Sequence, residues 1–190
     1  MCIRDRCAYA HCADPDAGAS RQSEKYPDRR IVVVDSLSAT LGQGLLVYKA
    51  VQLKEAGKNL DEIAAWLEEN KYHLVHNFTV DDLFHLHRGG RLSKTAAIVG
   101  TMINLKPVLH VDDEGHLVML SKVRGRKKSL IGLVDCMEKQ LGDWKDKNDI
   151  IFISHGDCPD DAQFVADLIK ERFGYENFMI DYIGATIGAH

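Results

Sequence analysis

A run of four consecutive β-branched residues, Ile31–Val34, constrains the possible folds of this chain more than any other short segment. A strand that is apolar at every position is buried on both faces, which is typical of parallel sheets covered by helices. Asp35 and Ser36 follow directly, at the carboxyl end where open α/β sheets bind ligands. Apolar residues then recur at helical spacing over residues 42–57, and do so again after the N-cap candidate Asn59. The pattern predicts an α/β fold whose first part contains a parallel sheet.

A predicted hairpin interrupts this alternation. Asp112–Gly115 form a turn that ends in glycine and joins Val108–Val111 to Leu117–Lys122. Pro107, just before the first of these strands, indicates an edge strand or a strand start. A buried strand near residues 149–156, a helix with Pro159 in its first turn and a last strand follow. We therefore expect a second domain whose sheet is mixed or antiparallel.

The composition excludes several classes of protein. The 190 residues carry a formal net charge of -4, and 45% of them are hydrophobic. A mildly acidic chain is poorly suited to neutralising nucleic-acid phosphates. Apolar runs all fall well short of the roughly 20 residues that span a bilayer. The composition predicts a cytoplasmic protein with no nucleic-acid partner and no integral membrane association.

Cysteines and histidines do not show the spacing of metal ligands. Cys2, Cys7 and Cys12 are five residues apart, unlike the CxxC pairs of structural zinc sites. His85 and His87 are two residues apart and would lie on different faces of a helix. We expect reduced cysteines, no metal and no cofactor.

Gly42–Gly44, with the sequence GQG, lie between the predicted strand and the helix that follows. Glycines there permit a phosphate to approach the helix N-terminus, or permit close packing of the helix itself. GQG matches neither GxGxxG nor the P-loop pattern, so the residues leave both interpretations open.

The segment Lys122–Lys128, KVRGRKK, places five cations in seven residues of an acidic chain. Cations at a helix N-terminus oppose the helix dipole, so the run carries an electrostatic cost. It is either a solvated helix start or a surface for an anionic partner. Arg124, Arg126 and Lys127 are the candidate partner-binding residues.

Gly89–Arg91, GGR, is the sharpest local signal. Thr79 is predicted to cap a short helix that Gly89 or Gly90 ends. Arg91 would then emerge at the approach to the next helix, where the guanidinium and the helix dipole both favour an anion. The alternative is a helix-ending turn followed by an ordinary surface arginine.

A serine-dependent hydrolase or transferase is a competing function. Ser36 is one candidate nucleophile, and Ser154, which His155 follows, is the other. The chain contains no GxSxG elbow, and residues adjacent in sequence seldom form a triad.

Five segments, in this order, resemble the DegV family, the fatty-acid-binding subunits of bacterial fatty acid kinase. They are VVVDSLSATLGQGLLV, FTVDDLFHLHRGGRLS, LKPVLHVDDEGHL, KVRGRKKSL and IGATIGAH, and the similarity covers about Glu24 to His190. The resemblance implies a DegV-like α/β fold of two domains, a partial parallel-sheet first domain and a mixed or antiparallel second domain. Residues 1–23 remain unassigned, 24–75 would be the C-terminal part of the first domain and 76–190 the second, truncated domain.

The resemblance also implies a function. Family members hold one long-chain fatty acid in a tunnel, with its carboxylate near the domain junction. A separate ATP-dependent kinase subunit phosphorylates that carboxylate to an acyl phosphate for phospholipid synthesis. The DegV-like subunit binds and presents the acid and does not catalyse alone, and its only expected ligand is the fatty acid.

The resemblance assigns the carboxylate to Arg91, in the family's GGR motif, and to His190, which opens its terminal motif. Gly89 and Gly90 would allow the backbone to approach the anion. An acyl chain needs a long apolar slot. The candidate lining residues are Phe78, Leu86, Ile103, Leu105 and Val108.

Overall fold

The computed structural model describes residues 24–90 and 105–184. This part of the chain divides into two compact units. One comprises residues up to Leu74 together with Asp113–Gly115, and the other comprises Val75–Asp112 and the residues from His116 onward. Among the described residues, no helix has the length and apolar character needed to cross a membrane.

The described part of the first unit includes the helices α1 (Thr40–Glu55) and α2 (Leu60–Asn70), followed by a 3-10 turn at Lys71–His73. The predicted cap of α2 is confirmed. The Asn59 side chain accepts hydrogen bonds from the backbone N–H groups of Asp61 and Glu62, and Glu62 accepts from the Asn59 N–H at 2.9 Å. This capping box fixes where the helix begins.

The predicted strand at Ile31–Val34 pairs with no other strand among the described residues. A strand exists only through hydrogen bonds to a neighbour, so the parallel sheet expected in this first part is not seen there. Val34 is instead buried in the helical core, together with Leu46, Ala50, Ile63 and Leu67. Burial of the β-branched run was predicted correctly at Val34, whereas strand pairing was not.

GQG lies inside α1, because the helix begins two residues before Gly42. The N–H groups of Gly42 and Gln43 both donate to the Ala39 carbonyl, at 3.1 and 3.4 Å. Amides that are already paired are not available to a phosphate, so the structure favours the packing interpretation of these glycines.

The described residues of the second unit form two sheets. Strands β1 (Asn77–Phe78), β2 (Leu105–Val111) and β3 (Leu117–Arg124) form an antiparallel sheet in that order, whereas β4 (Ile151–His155) and β5 (Phe178–Tyr182) are parallel. The described residues of this unit also form three helices, α3 (Leu83–Arg88), α4 (Arg126–Leu141) and α5 (Pro159–Phe173), with a 3-10 segment at Gly142–Lys147. Helix α4 packs on the antiparallel sheet and on α5, which packs on β4 and β5.

The predicted hairpin is confirmed, although its strands are longer than expected. The Asp112 N–H donates to the His116 carbonyl at 3.0 Å, and Gly115 has a φ of 82°, which favours glycine. Pro107 lies within β2 rather than before it. Its carbonyl accepts a hydrogen bond from the Thr79 hydroxyl at 2.6 Å, which shows that its backbone polar groups face the β1 side of β2. Because β1 has already ended there, no strand needs the N–H that proline lacks.

Candidate ligand-binding site

Helix α3 packs an apolar face against the antiparallel sheet of the second unit. Leu83 and Leu86 are buried against Leu109, which is fully buried on β2. The partly buried residues of the same cluster are Phe78, Val80, Leu117 and Met119. We call these seven residues the α3 wall. Two of the predicted lining residues, Phe78 and Leu86, therefore lie in one apolar cluster.

The other predicted lining residues lie elsewhere. Val108 is fully buried but approaches α4, since its Cγ2 atom is 3.0 Å from the position that a Cβ on Gly132 would take. Successive residues of a strand point to opposite faces, so Val108 faces away from the α3 wall that Leu109 joins. Leu105 is half-buried at the start of β2. Ile103 lies outside the described residues.

The chain enters and leaves α3 through defined turns. The cap is Asp82 rather than the predicted Thr79, since the Asp82 carboxylate accepts from the Phe84 N–H at 2.8 Å. At the other end the Gly90 N–H donates to the His87 carbonyl at 3.0 Å. Gly90 has a φ of 72° with open space around it, so it is the backbone angle that requires glycine there. The turn leads directly to Arg91, which, like His190, lies outside the described residues.

The loop that precedes α3 is fixed by a second contact that the sequence did not reveal. The Lys106 ammonium, only 18% exposed, lies 2.7 Å from the Asp81 carboxylate. This hydrogen bond lowers the pKa of Asp81 from its ordinary value. Together with the Thr79 bond to Pro107, the ion pair attaches the loop to β2.

Arg126, a predicted partner-binding residue, makes internal contacts. Its Nε donates to the Asp161 carboxylate of α5 at 2.7 Å, and its Nη2 donates to the Cys158 sulfur at 3.8 Å. Its Nη1 lies 3.9 Å from Asp81. The side chain is only 31% exposed, so most of it is not available to a partner.

The rest of the basic segment faces solvent. Arg124 ends β3, and Lys127 and Lys128 lie in the first turn of α4, all three exposed. Lys127 lies 5.5 Å from the centre of the Phe164 ring. Arg124 and Lys128 form no ion pair with any residue that the structure describes. Since α4 has no acidic residue in its first turn, these cations form a positive surface.

The carboxyl ends of β4 and β5 form a second cluster. His155 is 8% exposed, and its Nδ1 accepts from the Cys158 N–H at 3.3 Å. Its ring lies 4.4 Å from that of Tyr182, and its carbonyl accepts from the Ile183 N–H at 3.0 Å. The chain therefore leaves β5 beside His155 at Ile183, seven residues before His190 in the sequence.

The structure buries the candidate nucleophile Ser36 and does not pair the other candidate, Ser154, with His155. The Ser36 hydroxyl is 1% exposed and donates to the Ser38 carbonyl at 3.2 Å. Ser154 and His155 are successive residues of β4, so their side chains point to opposite faces of the sheet. A base on the opposite face cannot accept the proton of the serine hydroxyl.

Comparison with known proteins gives a consistent family. A profile of the family described as "Uncharacterised protein, DegV family" matches residues 17–190. A DegV domain-containing protein of Clostridium perfringens is 50% identical over 167 residues, which are 88% of this chain and 57% of the relative. Another from Lactococcus lactis is 38% identical over the same shares. The chain spans a little over half the length of the curated relatives it matches.

Solved structures agree with this comparison. A DegV family protein of Ruminococcus gnavus, with vaccenic acid, has a TM-score of 0.77 and 28% identity over 87% of this chain and 58% of its own. The fatty acid kinase B3 protein of Streptococcus pneumoniae, loaded with linoleic acid, has a TM-score of 0.77 and 25% identity over 88% and 58%. Sequence and fold lead to one conclusion: the chain belongs to the DegV family.

Proposed function

We propose that this protein binds one long-chain fatty acid and presents its carboxylate to a separate ATP-dependent kinase subunit, which forms the acyl phosphate. The observation that carries the proposal is the continuity of the α3 wall with the Gly90 turn. The helix that contributes Leu83 and Leu86 to this apolar cluster ends where the GGR motif begins, which suits a ligand with an apolar chain and a single anionic end. Relatives solved with vaccenic and linoleic acids support this class of ligand.

The acyl chain would lie along the α3 wall, against Phe78 and Leu86, with Leu105 and Ile103 continuing the slot. Each methylene removed from water contributes about 0.8 kcal/mol, so a long chain supplies most of the affinity. Val108, on the opposite face of β2, would support this strand from behind rather than contact the acid.

The carboxylate would be held by Arg91 and His190, with the Gly89–Gly90 turn allowing close backbone approach. Guanidinium–carboxylate pairs are charge-assisted and often bidentate, so they fix the orientation of the anion as well as its position. A site that exposes this end of the ligand leaves the oxygen that accepts a phosphoryl group accessible to the kinase. No residue of this chain is proposed to catalyse the transfer.

The kinase subunit would dock on the positive surface formed by Arg124, Lys127 and Lys128, through an acidic region of its own. Unpaired cations raise the association rate with an oppositely charged surface and make it dependent on salt. Arg126 is omitted from this surface because its guanidinium contacts Asp161, Asp81 and Cys158. Both partners would act in the cytoplasm, where ATP is available.

Native mass spectrometry of the purified chain, followed by extraction and identification of the lipid, tests ligand binding. We expect one bound fatty acid in the wild type and in the control variant Arg88→Ala, and none in Arg91→Ala. Arg88 is a suitable control because it is an exposed arginine just before the same turn. A folded wild-type chain that neither retains nor takes up added oleic acid would refute the proposal.

Docking is tested separately, by the affinity of the charge-reversed variant Arg124→Glu/Lys127→Glu for a fatty acid kinase subunit. We expect weaker binding than for Lys139→Glu, which reverses an exposed charge in the last turn of the same helix. Equal affinities would show that the kinase docks elsewhere.

A further inference from the structure

Arg126 uses all three guanidinium nitrogens to contact two separate parts of the second unit, the start of α5 and the loop before α3. Nε donates to Asp161 in the first turn of α5, Nη2 donates to Cys158 just before that helix, and Nη1 lies 3.9 Å from Asp81. Lys106 contacts the same Asp81 carboxylate at 2.7 Å. We call these five residues the Arg126 network. A planar guanidinium holds several partners in fixed directions, which an ammonium cannot do.

One branch of the network leads to the GGR end of the proposed site. Asp81 lies two residues before α3, whose residues Leu83 and Leu86 belong to the α3 wall. The same helix ends in the Gly90 turn that precedes Arg91. A displacement of the Asp81 loop would therefore move one end of a six-residue helix that contributes to the α3 wall and leads into the Gly90 turn.

The other branch leads to the edge of the parallel sheet. The Cys158 N–H donates to Nδ1 of the buried His155, whose carbonyl accepts from Ile183 after β5. The chain continues from there toward His190. Arg126 thus connects the loop before α3 with the end of the parallel sheet, the two described regions from which the sequence continues to Arg91 and to His190.

A simple stabilising role does not distinguish Arg126 from Arg172, which also connects α5 to α4. The Arg172 guanidinium contacts Asp135 at 2.5 Å and Glu138 at 3.8 Å, and its side chain is 30% exposed against 31% for Arg126. The difference is location: Arg172 joins the last turn of α5 to the C-terminal half of α4, and its ion pairs among the described residues do not lead toward α3 or β5. Arg172 is therefore a matched control for the loss of an ion pair between α4 and α5.

We propose that Arg126 is a positioning residue for the fatty-acid site: through its contacts to Asp81 and to the Cys158 turn it sets the relative placement of the GGR turn and the segment that leads to His190. This inference rests on the proposed function. It assigns to Arg126 a role inside the subunit instead of the partner contact that its sequence context indicates.

The test compares the dissociation constant for oleic acid and the melting temperature in wild type, Arg126→Met, Arg126→Lys and Arg172→Met. We expect both methionine variants to lower the melting temperature similarly, whereas only Arg126→Met weakens oleic acid binding, by about tenfold. Arg126→Lys should recover part of this loss, since it restores the charge but not all three contacts. Asp81→Asn cuts a single branch at a 73% exposed carboxylate, so it replaces Arg126→Met if that variant does not fold.

Each result leads to a definite conclusion. A binding loss confined to the variants of the Arg126 network supports the positioning role. Equal binding losses in Arg126→Met and Arg172→Met, or none in either, would overturn it and leave the proposed function intact. If the folded wild type does not bind oleic acid, the proposed function fails and the positioning role fails with it.

Discussion

Protonation of His76 is expected to make the folded protein less stable in mild acid. His76 immediately precedes β1, and its carbonyl accepts from the Val111 N–H at 3.2 Å. Burial lowers the pKa of its imidazole from 6.5 to about 4, because the charged form loses its hydration. The folded protein therefore keeps this histidine neutral at a pH at which the unfolded chain is already protonated.

The sign and size follow from this difference in proton binding. Between pH 6.5 and pH 4 the unfolded chain binds one more proton at His76 than the folded protein does, so stability rises with pH and falls as the pH decreases. A pKa lowered from 6.5 to about 4 corresponds to a loss of about 2 kcal/mol at pH 5 and about 3 kcal/mol at pH 4. For a marginally stable domain this is a large fraction of the free energy of unfolding.

Urea unfolding at pH 7.5, 6 and 5 measures the effect in wild type, His76→Gln and His116→Gln. Glutamine does not titrate, so His76→Gln should lose most of the slope of the unfolding free energy against pH. The control His116→Gln, at a side chain that is 75% exposed, should retain it. The reasoning is refuted if His76→Gln keeps the wild-type slope, or if NMR gives His76 a pKa near 6.5 in the folded protein.

Three further pairs of substitutions test the packing and the turns. Leu109→Ala removes a fully buried side chain from the α3 wall and should lower the free energy of unfolding in urea by about 2–5 kcal/mol. The control Leu120→Ala, at a 42% exposed position, should lower it by less than about 0.5 kcal/mol. Similar losses in both variants would show that the wall is not packed. Gly90→Ala and Gly57→Ala, at φ of 72° and 85° in open space, should each cost about 1 kcal/mol. Only Gly90→Ala should also weaken oleic acid binding, and an unaffected affinity would remove that turn from the site. Asn59→Ala should lower the free energy of unfolding by about 1 kcal/mol, whereas Asn59→Asp should leave it nearly unchanged. Equal stability of both variants would show that the capping box contributes little.

Sequence reasoning predicted the candidate site only in part, for physical reasons that particular residues show. Phe78 and Leu86 were placed in one slot because an acyl chain needs a long apolar lining, and they do lie in one apolar cluster. Val108 was placed with them although its register turns it toward Gly132. A run of apolar residues indicates burial but does not indicate which face of the strand meets which helix.

Local features were determined by the sequence itself. The Asn59 capping box, the Asp112–Gly115 hairpin turn and Pro159 at the start of α5 depend on side chains and backbone angles within about four residues, so short-range chemistry decides them. Tertiary structure decided what distant residues do. Ile31–Val34 has the composition of a strand but forms none, because no strand among the described residues pairs with it. Arg126 resembles a docking cation in the sequence, but the fold brings Asp161, 35 residues away, to its guanidinium. The charge and hydrophobicity of a residue can be read from the sequence, whereas the residues that it contacts are decided by the folded chain.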